Sequence, residues 1–536
     1  MTLALAVVLA GFAVVMAVHV AADRSGLPAP VLLVIAGLAY GFLPGPNLQL
    51  DPEVILTLVI PPLLYAAALN SSLGAIRSNA RTIVGLSVGL VLVTAVGVGV
   101  ALHAVIPSLP LAACIALGAA VAPPDPVAAL AVGRRAGLPP RLVTLVEGEG
   151  LLNDATALTT LNVAVAATAS GLFSLGDAAG EFAVEAIGGL VVGLLVALSV
   201  ARVRRALNDT LVENALSLCT PFAAYLLAEA VHVSGVLAVV VAALWLGHHA
   251  PLLQSGPSRL QTRAVWRLVE FLLEGYVFLL IGQQLPAVVG GLGGYSVAAV
   301  ASAVAVTVAV VLGVRPLWLV VISRLPARLH LRLGASSRRE NTSLSGRDIV
   351  AMSWAGTRGV ITLAAAFSLP LDFPGRNLLL VCAYSVVPVT LLLQGLTFAP
   401  LLRVLRLGGP GLGDAVVRNQ ARVAAVEAAL VRLDEMLLEE PELAEPAQRL
   451  RANAESQLER FNERLRVLSF AEEDRLPLTD GYRRALRLRR AMIDAEREVL
   501  LAWRDRGQLP DASLRILERE LDHQESVLPE PGAGPQ

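Results

Sequence analysis

Thirteen apolar segments precede residue 410, and they constrain this chain more than any other feature of its sequence. Each is close to the roughly 20 residues that a helix needs to cross the ~30 Å hydrocarbon core of a bilayer. The chain is 55% hydrophobic and only 16% charged, which excludes an ordinary soluble globular protein. We therefore predict an all-α polytopic membrane domain over residues 1–410, with twelve spans as the alternative count because several segments are short. The segments run over 3–22, 28–44, 52–69, 82–106, 110–132, 142–168, 180–201, 208–231, 233–250, 266–288, 294–323, 348–370 and 376–402.

The arginines between these segments predict the orientation of the spans. If the N-terminus lies outside, the inner loops hold twenty arginines and the outer loops hold one, Arg376. Such an excess of basic residues marks the cytoplasmic side of membrane proteins. We predict thirteen spans in a bacterial cytoplasmic membrane, with the N-terminus outside and the C-terminus in the cytoplasm.

Residues 411–536 have a different composition, with 19 basic and 25 acidic residues. Apolar residues between Val417 and Leu437 recur at spacings of three and four, which is typical of an amphipathic helix. We predict a cytoplasmic helical tail that is regulatory or dimer-forming, or else a helical appendage that packs on itself. The formal net charge of −1 gives no reason to expect a nucleic-acid partner, and no cofactor is predicted.

Asp125 lies deep inside the segment 110–132, and it stands between Pro124 and Pro126. A carboxylate at mid-bilayer is unfavourable by at least about 2.5 kcal/mol, so it indicates a functional site. The prolines remove helix donors and predict a broken helix. Freed carbonyls beside a carboxylate favour a cation site, whereas the alternative is a proline kink whose acid reaches one interface.

The next segment carries a polar stripe of Glu149, Gly150, Asn153 and Asp154. The i, i+4 spacing places these residues on one side of a helix, facing the bundle. Asp154 lies near the middle of its span, as Asp125 does. Two ionised carboxylates at similar depth would repel each other, so a proton or a cation should occupy the site. This is the chemistry of ion exchange.

Arg358 lies in the middle of segment twelve, between Gly356 and Gly359. A buried arginine needs an acidic partner, and we predict a structural ion pair with Glu149. The glycines predict a second broken helix. Segments five and twelve occupy equivalent positions if spans one to six and eight to thirteen form an inverted repeat, which is typical of secondary transporters with a midplane site.

Three motifs resemble those of the monovalent cation/proton antiporters, the family of the bacterial NhaP proteins and the eukaryotic sodium/proton exchangers. PPDPVAALAV resembles the family's TDPVAV, GEGLLNDATAL resembles GESLLNDGTA, and SWAGTRGVITLAAAFSLP resembles WAGLRGAVSLALALSLP. The resemblance covers about residues 25–405. It implies a homodimer in which each chain has a dimerisation domain, a core domain and two broken helices that cross at the ion site.

The resemblance also implies roles for individual residues. Asp154 would bind the cation and the proton in competition, with Asn153 as its neighbour on the helix and Asp125 in the crossing. Glu149 and Arg358 would form the ion pair of the core. An Asn-Asp pair in place of two acids implies electroneutral exchange of Na⁺, or of K⁺ or Li⁺, for H⁺.

This chain departs from the family's motifs at three positions. Pro124 replaces a threonine and Gly150 replaces a serine, so two hydroxyls that are typical cation ligands are missing. Glu274 is an additional intramembrane acid where many relatives carry asparagine. We expect it to face a polar crevice, with a compensating role in the site as the alternative.

Two other classes of function compete with a transporter. A passive cation channel would conduct without coupling to protons. An intramembrane enzyme is disfavoured because Ser234 and His232 stand outside a G-x-S-G motif and the aspartates lack a GxGD pattern. We therefore predict a transporter and no enzymatic activity.

Overall fold

A computed structural model gives the fold of this chain as two compact units, Met1–Leu407 and Gly408–Gln536. All regular secondary structure in the part of the chain that the structure describes is helical, as the apolar pattern predicted. The described residues are 2–25, 27–43, 55–126, 129–130, 133, 137–171, 175–207, 209–324, 344–407, 412–469, 480–506, 508–509 and 511–526.

The first unit is a bundle of helices of different lengths. Its helices are α1 Thr2–Ser25, α2 Ala29–Gly41, α3 Ile60–Leu69, α4 Leu73–Ser78, α5 Ala80–Val105, α6 Leu111–Val121, α7 Pro140–Ser170, α8 Leu175–Ala206, α9 Thr210–Ala230, α10 Gly235–Leu253, α11 Gly256–Gly290, α12 Val297–Arg324, α13 Gly346–Trp354, α14 Val360–Phe367 and α15 Arg376–Leu405.

Helices coincide with all thirteen predicted segments, within the described residues. Six of them are long and apolar enough to cross a membrane by length and composition alone: α5, Phe182–Ala206 of α8, α9, α10, α12 and α15. Four shorter apolar helices are Leu9–Ala22 in α1, Ala29–Gly41 (α2), Thr57–Leu69, which includes α3 and part of a π-helical turn before it, and Leu111–Val121 (α6). The all-α membrane class is thus confirmed, whereas the number of thirteen crossings and the six-span repeat stay predictions.

Packing divides the first unit into groups of neighbouring helices. α6 lies between α5 and α7, α8 packs along α10, and α11 packs along α2. The last pair is close because glycines face each other: a Cβ at Gly37 would overlap the carbonyl of Leu279, and a Cβ at Gly282 would overlap that of Val34. Small residues of this kind allow membrane helices to approach by van der Waals packing.

The second unit consists of helices whose polar faces carry surface ion pairs. α16 Leu412–Glu439 packs against α17 Ala444–Ser469, and α18 Asp480–Asp505 packs against α19 Asp511–Ser526. Arg497 donates to Asp522 at 2.9 Å, which joins α18 to α19. The described residues of this unit are helical except at 440, 506 and 508–509, whereas the cytoplasmic location and the role of the tail stay predictions.

Candidate ion-binding site

The candidate site is built where two helices are interrupted. α6 ends at Val121 and non-helical backbone follows up to Asp125, while α13 ends at Trp354 and α14 begins at Val360. Proline removes a backbone donor and clashes with the preceding turn, and glycine weakens a helix. The interruptions predicted for segments five and twelve are therefore confirmed. The residues that cause them are Pro123, Pro124, Pro126, Gly356 and Gly359.

The two interruptions are hydrogen-bonded to each other. The Asp125 backbone N–H donates to the Thr357 carbonyl oxygen at 2.7 Å, and Thr357 Oγ1 donates to the Asp125 carbonyl oxygen at 3.0 Å. Gly359 must be a glycine here, because a Cβ would overlap the Asp125 carboxylate. The two non-helical segments thus provide hydrogen-bond partners for each other. Non-helical backbone is tolerated at membrane depth when it is buried and hydrogen-bonded in this way.

α7 brings the predicted ion-binding residues to this junction. Asn153 and Asp154 are 0% and 3% exposed. Asn153 Nδ2 donates to the Pro124 carbonyl oxygen at 3.0 Å, so the amide is anchored to the broken segment. Asp154 lies within range of electrostatic interaction with Asp125. The structure therefore brings Asp125, Asn153 and Asp154 together, while their roles stay predictions.

The amide nitrogen of Asn153 has a hydrogen-bond partner, whereas its amide oxygen has none among the described residues. Asn153 Oδ1 is buried and accepts no hydrogen bond from any residue that the structure describes. A buried polar atom without a partner is rare and destabilising. This oxygen is therefore available to a ligand of the site.

The prediction that Glu149 pairs with Arg358 is wrong in its partner. Glu149 is 1% exposed, and its carboxylate accepts hydrogen bonds from both terminal nitrogens of Arg315. Nη2 donates to Oε2 at 2.9 Å, and Nη1 donates to Oε1. Arg315 lies on α12, and its Nε donates to the Met352 carbonyl oxygen at 2.8 Å. This planar, two-point contact is the strong form of an ion pair. The available signal was Arg315 itself, a second arginine inside an apolar segment.

Arg358 uses its donors on the broken helices. Its Nε donates to the carbonyl oxygen of Val121, the last residue of α6, at 2.8 Å, and its Nη1 donates to the carbonyl oxygen of Gly356. Its backbone N–H donates to Thr390 Oγ1 at 3.0 Å. The last carbonyls of a helix lack partners within the helix and carry partial negative charge, so a cation is stabilised there. Arg358 therefore donates hydrogen bonds to carbonyl oxygens that lose their helical partners at the interruptions, and its role is to stabilise the broken helices.

The three departures from the family's motifs also lie at the junction. The carbonyl oxygen of Pro124 accepts the hydrogen bond from Asn153, and Gly150 faces Pro126 so closely that a Cβ would overlap the proline ring. Glu274, on α11, interacts electrostatically with Asp125 and with Glu270. The glycine at position 150 therefore fits against Pro126, the proline that this chain shares with the family's motif, and Glu274 lies beside the site.

Comparisons with known proteins agree with this geometry. Residues 9–404 match the family described as sodium/hydrogen exchanger, transmembrane. A Mycobacterium tuberculosis protein named as an uncharacterized Na⁺/H⁺ exchanger is 34% identical over 98% of this chain and 96% of its own length. A Bacillus subtilis protein named as a sodium, potassium, lithium and rubidium/H⁺ antiporter is 29% identical over 94% of this chain and 75% of its own length.

The fold has a solved counterpart as well. The structure of the sodium proton antiporter MjNhaP1 from Methanocaldococcus jannaschii at pH 8 superposes with a TM-score of 0.60 at 19% identity, covering 76% of this chain and 99% of that chain. The family match extends over both helix interruptions and over all of α7. This chain is a multi-pass membrane protein that belongs to the sodium/hydrogen exchanger family.

Proposed function

We propose that this protein exchanges a monovalent cation for a proton across the bacterial cytoplasmic membrane. Na⁺ is the first candidate, and K⁺ and Li⁺ are the alternatives. The family and the antiporter names of its relatives support cation/proton exchange as the class of activity. The B. subtilis relative is named for several alkali cations, so the name alone does not favour Na⁺.

The observation that carries this proposal is the group of oxygens around Asp154. A buried carboxylate, a second carboxylate within electrostatic range and an unpartnered amide oxygen converge beside the two helix interruptions. Hard cations prefer such carboxylate, amide and carbonyl oxygens as ligands. In the absence of a cation, a proton on a carboxylate removes the repulsion between the two acids. The same oxygens can thus bind the cation or the proton, but not both at once.

Competition between the cation and the proton for the Asp154 carboxylate is sufficient to explain exchange. The cation and the proton occupy the carboxylate alternately, so excess of either one excludes the other and the transport rate is bell-shaped with pH. Asn153 adds an oxygen without a charge, and the Glu149 and Arg315 pair is neutral as a unit, which supports electroneutral exchange. Glu274 serves as an accessory acid that raises the local concentration of cations near Asp125.

Alternating access requires the helix that carries the ion to move against the rest of the bundle. α7 packs closely on α5 and α6. A hydrogen bond between described residues, from Thr159 Oγ1 to Glu185 Oε2 at 2.6 Å, joins α7 to α8. α8 is in turn fixed to α10, since the Ser234 backbone N–H donates to the Glu185 carbonyl oxygen at 3.2 Å. We propose that this hydrogen bond breaks in each cycle.

The arrangement in the membrane follows from the same proposal. We propose thirteen spans in two inverted repeats, the N-terminus outside, a homodimer, and a cytoplasmic tail that regulates transport. The arginine distribution and the equivalent helix interruptions support it.

Transport by proteoliposomes that contain a pH-sensitive dye tests the proposal. Addition of Na⁺, K⁺ or Li⁺ should alkalinise or acidify the lumen according to the cation gradient, and Asp154→Asn should abolish the response. Asp372→Asn removes an exposed carboxylate and is the matched control, which should retain exchange. An active Asp154→Asn variant refutes the site. Cation flux that does not depend on protons instead identifies a channel.

A further inference from the structure

α18 has two apolar sides, and α19 packs against only one of them. On that side Ile493 is 2% exposed, and Arg497 donates to Asp522 of α19. Successive residues of a helix are about 100° apart, so the side roughly opposite Arg497 can be read from the sequence. We call its exposed apolar residues the α18 stripe: Leu488 at 67%, Met492 at 62%, Val499 at 56% and Trp503 at 49% exposure, with the exposed Ala495 between them.

The spacing of the α18 stripe is that of a coiled coil. Its first four members follow one another at intervals of four, three and four residues. An apolar repeat of 3.5 residues forms a narrow seam that packs against another helix. A helix that lies on a membrane has a polar face rich in basic residues. Glu496 and Glu498 instead lie at the two edges of the stripe, where they would repel anionic headgroups. The pattern therefore indicates a helix as the partner.

We propose that the α18 stripe packs against the α18 stripe of a second copy of this chain, in antiparallel orientation. A two-fold axis between residues 493 and 494 places Leu488 opposite Val499 of the partner subunit. The same axis places Met492 opposite Ala495 of the partner subunit. Each contact then occurs twice, as in any interface with two-fold symmetry.

The charged residues at the edges of the stripe favour this partner and this orientation. Arg489 and Glu496 lie at one edge and are exposed. In an antiparallel pair like edges meet, so Arg489 lies beside Glu496 of the partner subunit. At the other edge Arg484 lies beside Asp505 of the partner subunit, whose counterpart in this chain also accepts from Arg504.

A parallel pair would lose this complementarity. It would bring Arg484 toward Arg489 of the partner subunit, which places like charges together. Charges at the edges of a coiled coil select the partner and its direction. The interface does not depend on ion exchange. It builds on the proposed homodimer, to which it adds a defined contact between the two tails.

Cysteine crosslinking of the full-length protein in detergent tests the register. The background is Cys219→Ser, because Cys219 is exposed whereas the other two cysteines are buried. A short bismaleimide should join two copies of Met492→Cys, which lie close to the two-fold axis. It should not join two copies of Leu488→Cys, since these lie about 16 Å apart along the helices at about 1.5 Å per residue. Addition of Val499→Cys to Leu488→Cys should restore the crosslink.

Charge reversal tests the edges. In the Met492→Cys protein, Glu496→Arg places like charges together twice, and the crosslinking rate at low salt should fall roughly fivefold to tenfold. Addition of Arg489→Glu exchanges the two charges and should restore the rate. Glu459→Arg reverses an exposed acid on α17 and is the matched control, which should crosslink like its parent.

Each other outcome contradicts the interface. A crosslink of Leu488→Cys alone that equals that of Met492→Cys shows a parallel pair. A dimeric protein without crosslinks at any of these positions overturns the interface and leaves the homodimer and ion exchange intact. Maleimide labelling of Met492→Cys that is slowed by phosphatidylglycerol vesicles, without crosslinks, shows that lipid covers the stripe. Equal rates in Glu496→Arg and in the double reversal overturn the pairing of charges.

Discussion

Removal of Arg315 should destabilise this protein because it leaves the Glu149 carboxylate buried and uncompensated. The pair makes two hydrogen bonds between charged groups at the contact of α7 with α12. Arg315→Met keeps most of the apolar stem and deletes the charge, and Glu149→Gln deletes the opposite charge with little change in shape. Arg358→Met serves as the comparison, since Arg358 donates to carbonyl oxygens and not to Glu149.

The magnitudes follow from these contacts. Breaking one partner of a buried ion pair typically destabilises by about 3–5 kcal/mol, so each single variant at Glu149 or Arg315 should lose that much free energy of unfolding. The double variant leaves no unpaired charge, and its loss should be smaller than the sum of the two single losses by about 3 kcal/mol. The hydrogen bond from Arg315 to Met352 is lost in the single and the double variant alike, so it cancels in the coupling energy.

The same cycle between Glu149 and Arg358 should give a different result. These residues interact through space without a hydrogen bond, so their coupling energy should be about 1 kcal/mol or less. The measurement is the free energy of unfolding of all six proteins in detergent, by denaturant titration. Equal coupling of Glu149 to both arginines would refute the assignment of Arg315 as its partner. A coupling confined to Arg358 would restore the pairing that the sequence predicts.

Two further substitutions test the junction, and a third tests the hydrogen bond between α7 and α8. Gly359→Ala forces a methyl group into the Asp125 carboxylate, and vesicle assays should show at least about tenfold slower exchange, since a shift at the site of about 1.4 kcal/mol has that effect. Gly150→Ser restores the family's hydroxyl but drives its Cβ into the proline ring, so the unfolding temperature should fall and exchange should not improve. Thr159→Val removes the bond to Glu185, which should destabilise by about 1 kcal/mol and increase the maximal exchange rate up to about fivefold.

Matched controls separate these effects from general loss of structure. Gly313→Ala adds a methyl group where no atom lies within 4 Å, so both exchange and stability should be retained. Thr168→Val removes a hydroxyl that bonds within α7, to the Ala164 carbonyl oxygen at 2.7 Å, and should leave the maximal rate unchanged. Wild-type exchange in Gly359→Ala, improved exchange in Gly150→Ser, or an unchanged rate in Thr159→Val would each contradict the geometry described.

The sequence predicted those features that are encoded locally. Runs of apolar residues specify the helices, and the prolines around Asp125 and the glycines around Arg358 specify their interruptions, because each acts within one turn of backbone. The stripe of Asn153 and Asp154 was also predictable, since helical spacing fixes which side chains share a face.

The partners of the buried charges were not predictable, because spacing indicates a face but not the neighbour that covers it. Arg315 and Arg358 both lie deep inside apolar segments, and either was a reasonable partner for Glu149. The choice depends on the helix interruptions, whose free carbonyls engage Arg358 and leave Arg315 to the carboxylate. Arg204, one of the twenty arginines predicted for the inner loops, is a similar case, because the sequence gives no sign that the structure buries it in the last turn of α8.

Proton release on cation binding tests most directly whether Asp154 holds either ion. Purified protein in weakly buffered detergent is titrated with Na⁺, K⁺ or Li⁺ at a pH where the site is protonated, and the released protons are measured with a pH-sensitive dye. Competition at one carboxylate predicts about one proton released per cation bound, and neither binding nor release in Asp154→Asn. Cation binding without proton release, or release that persists in Asp154→Asn, would contradict it.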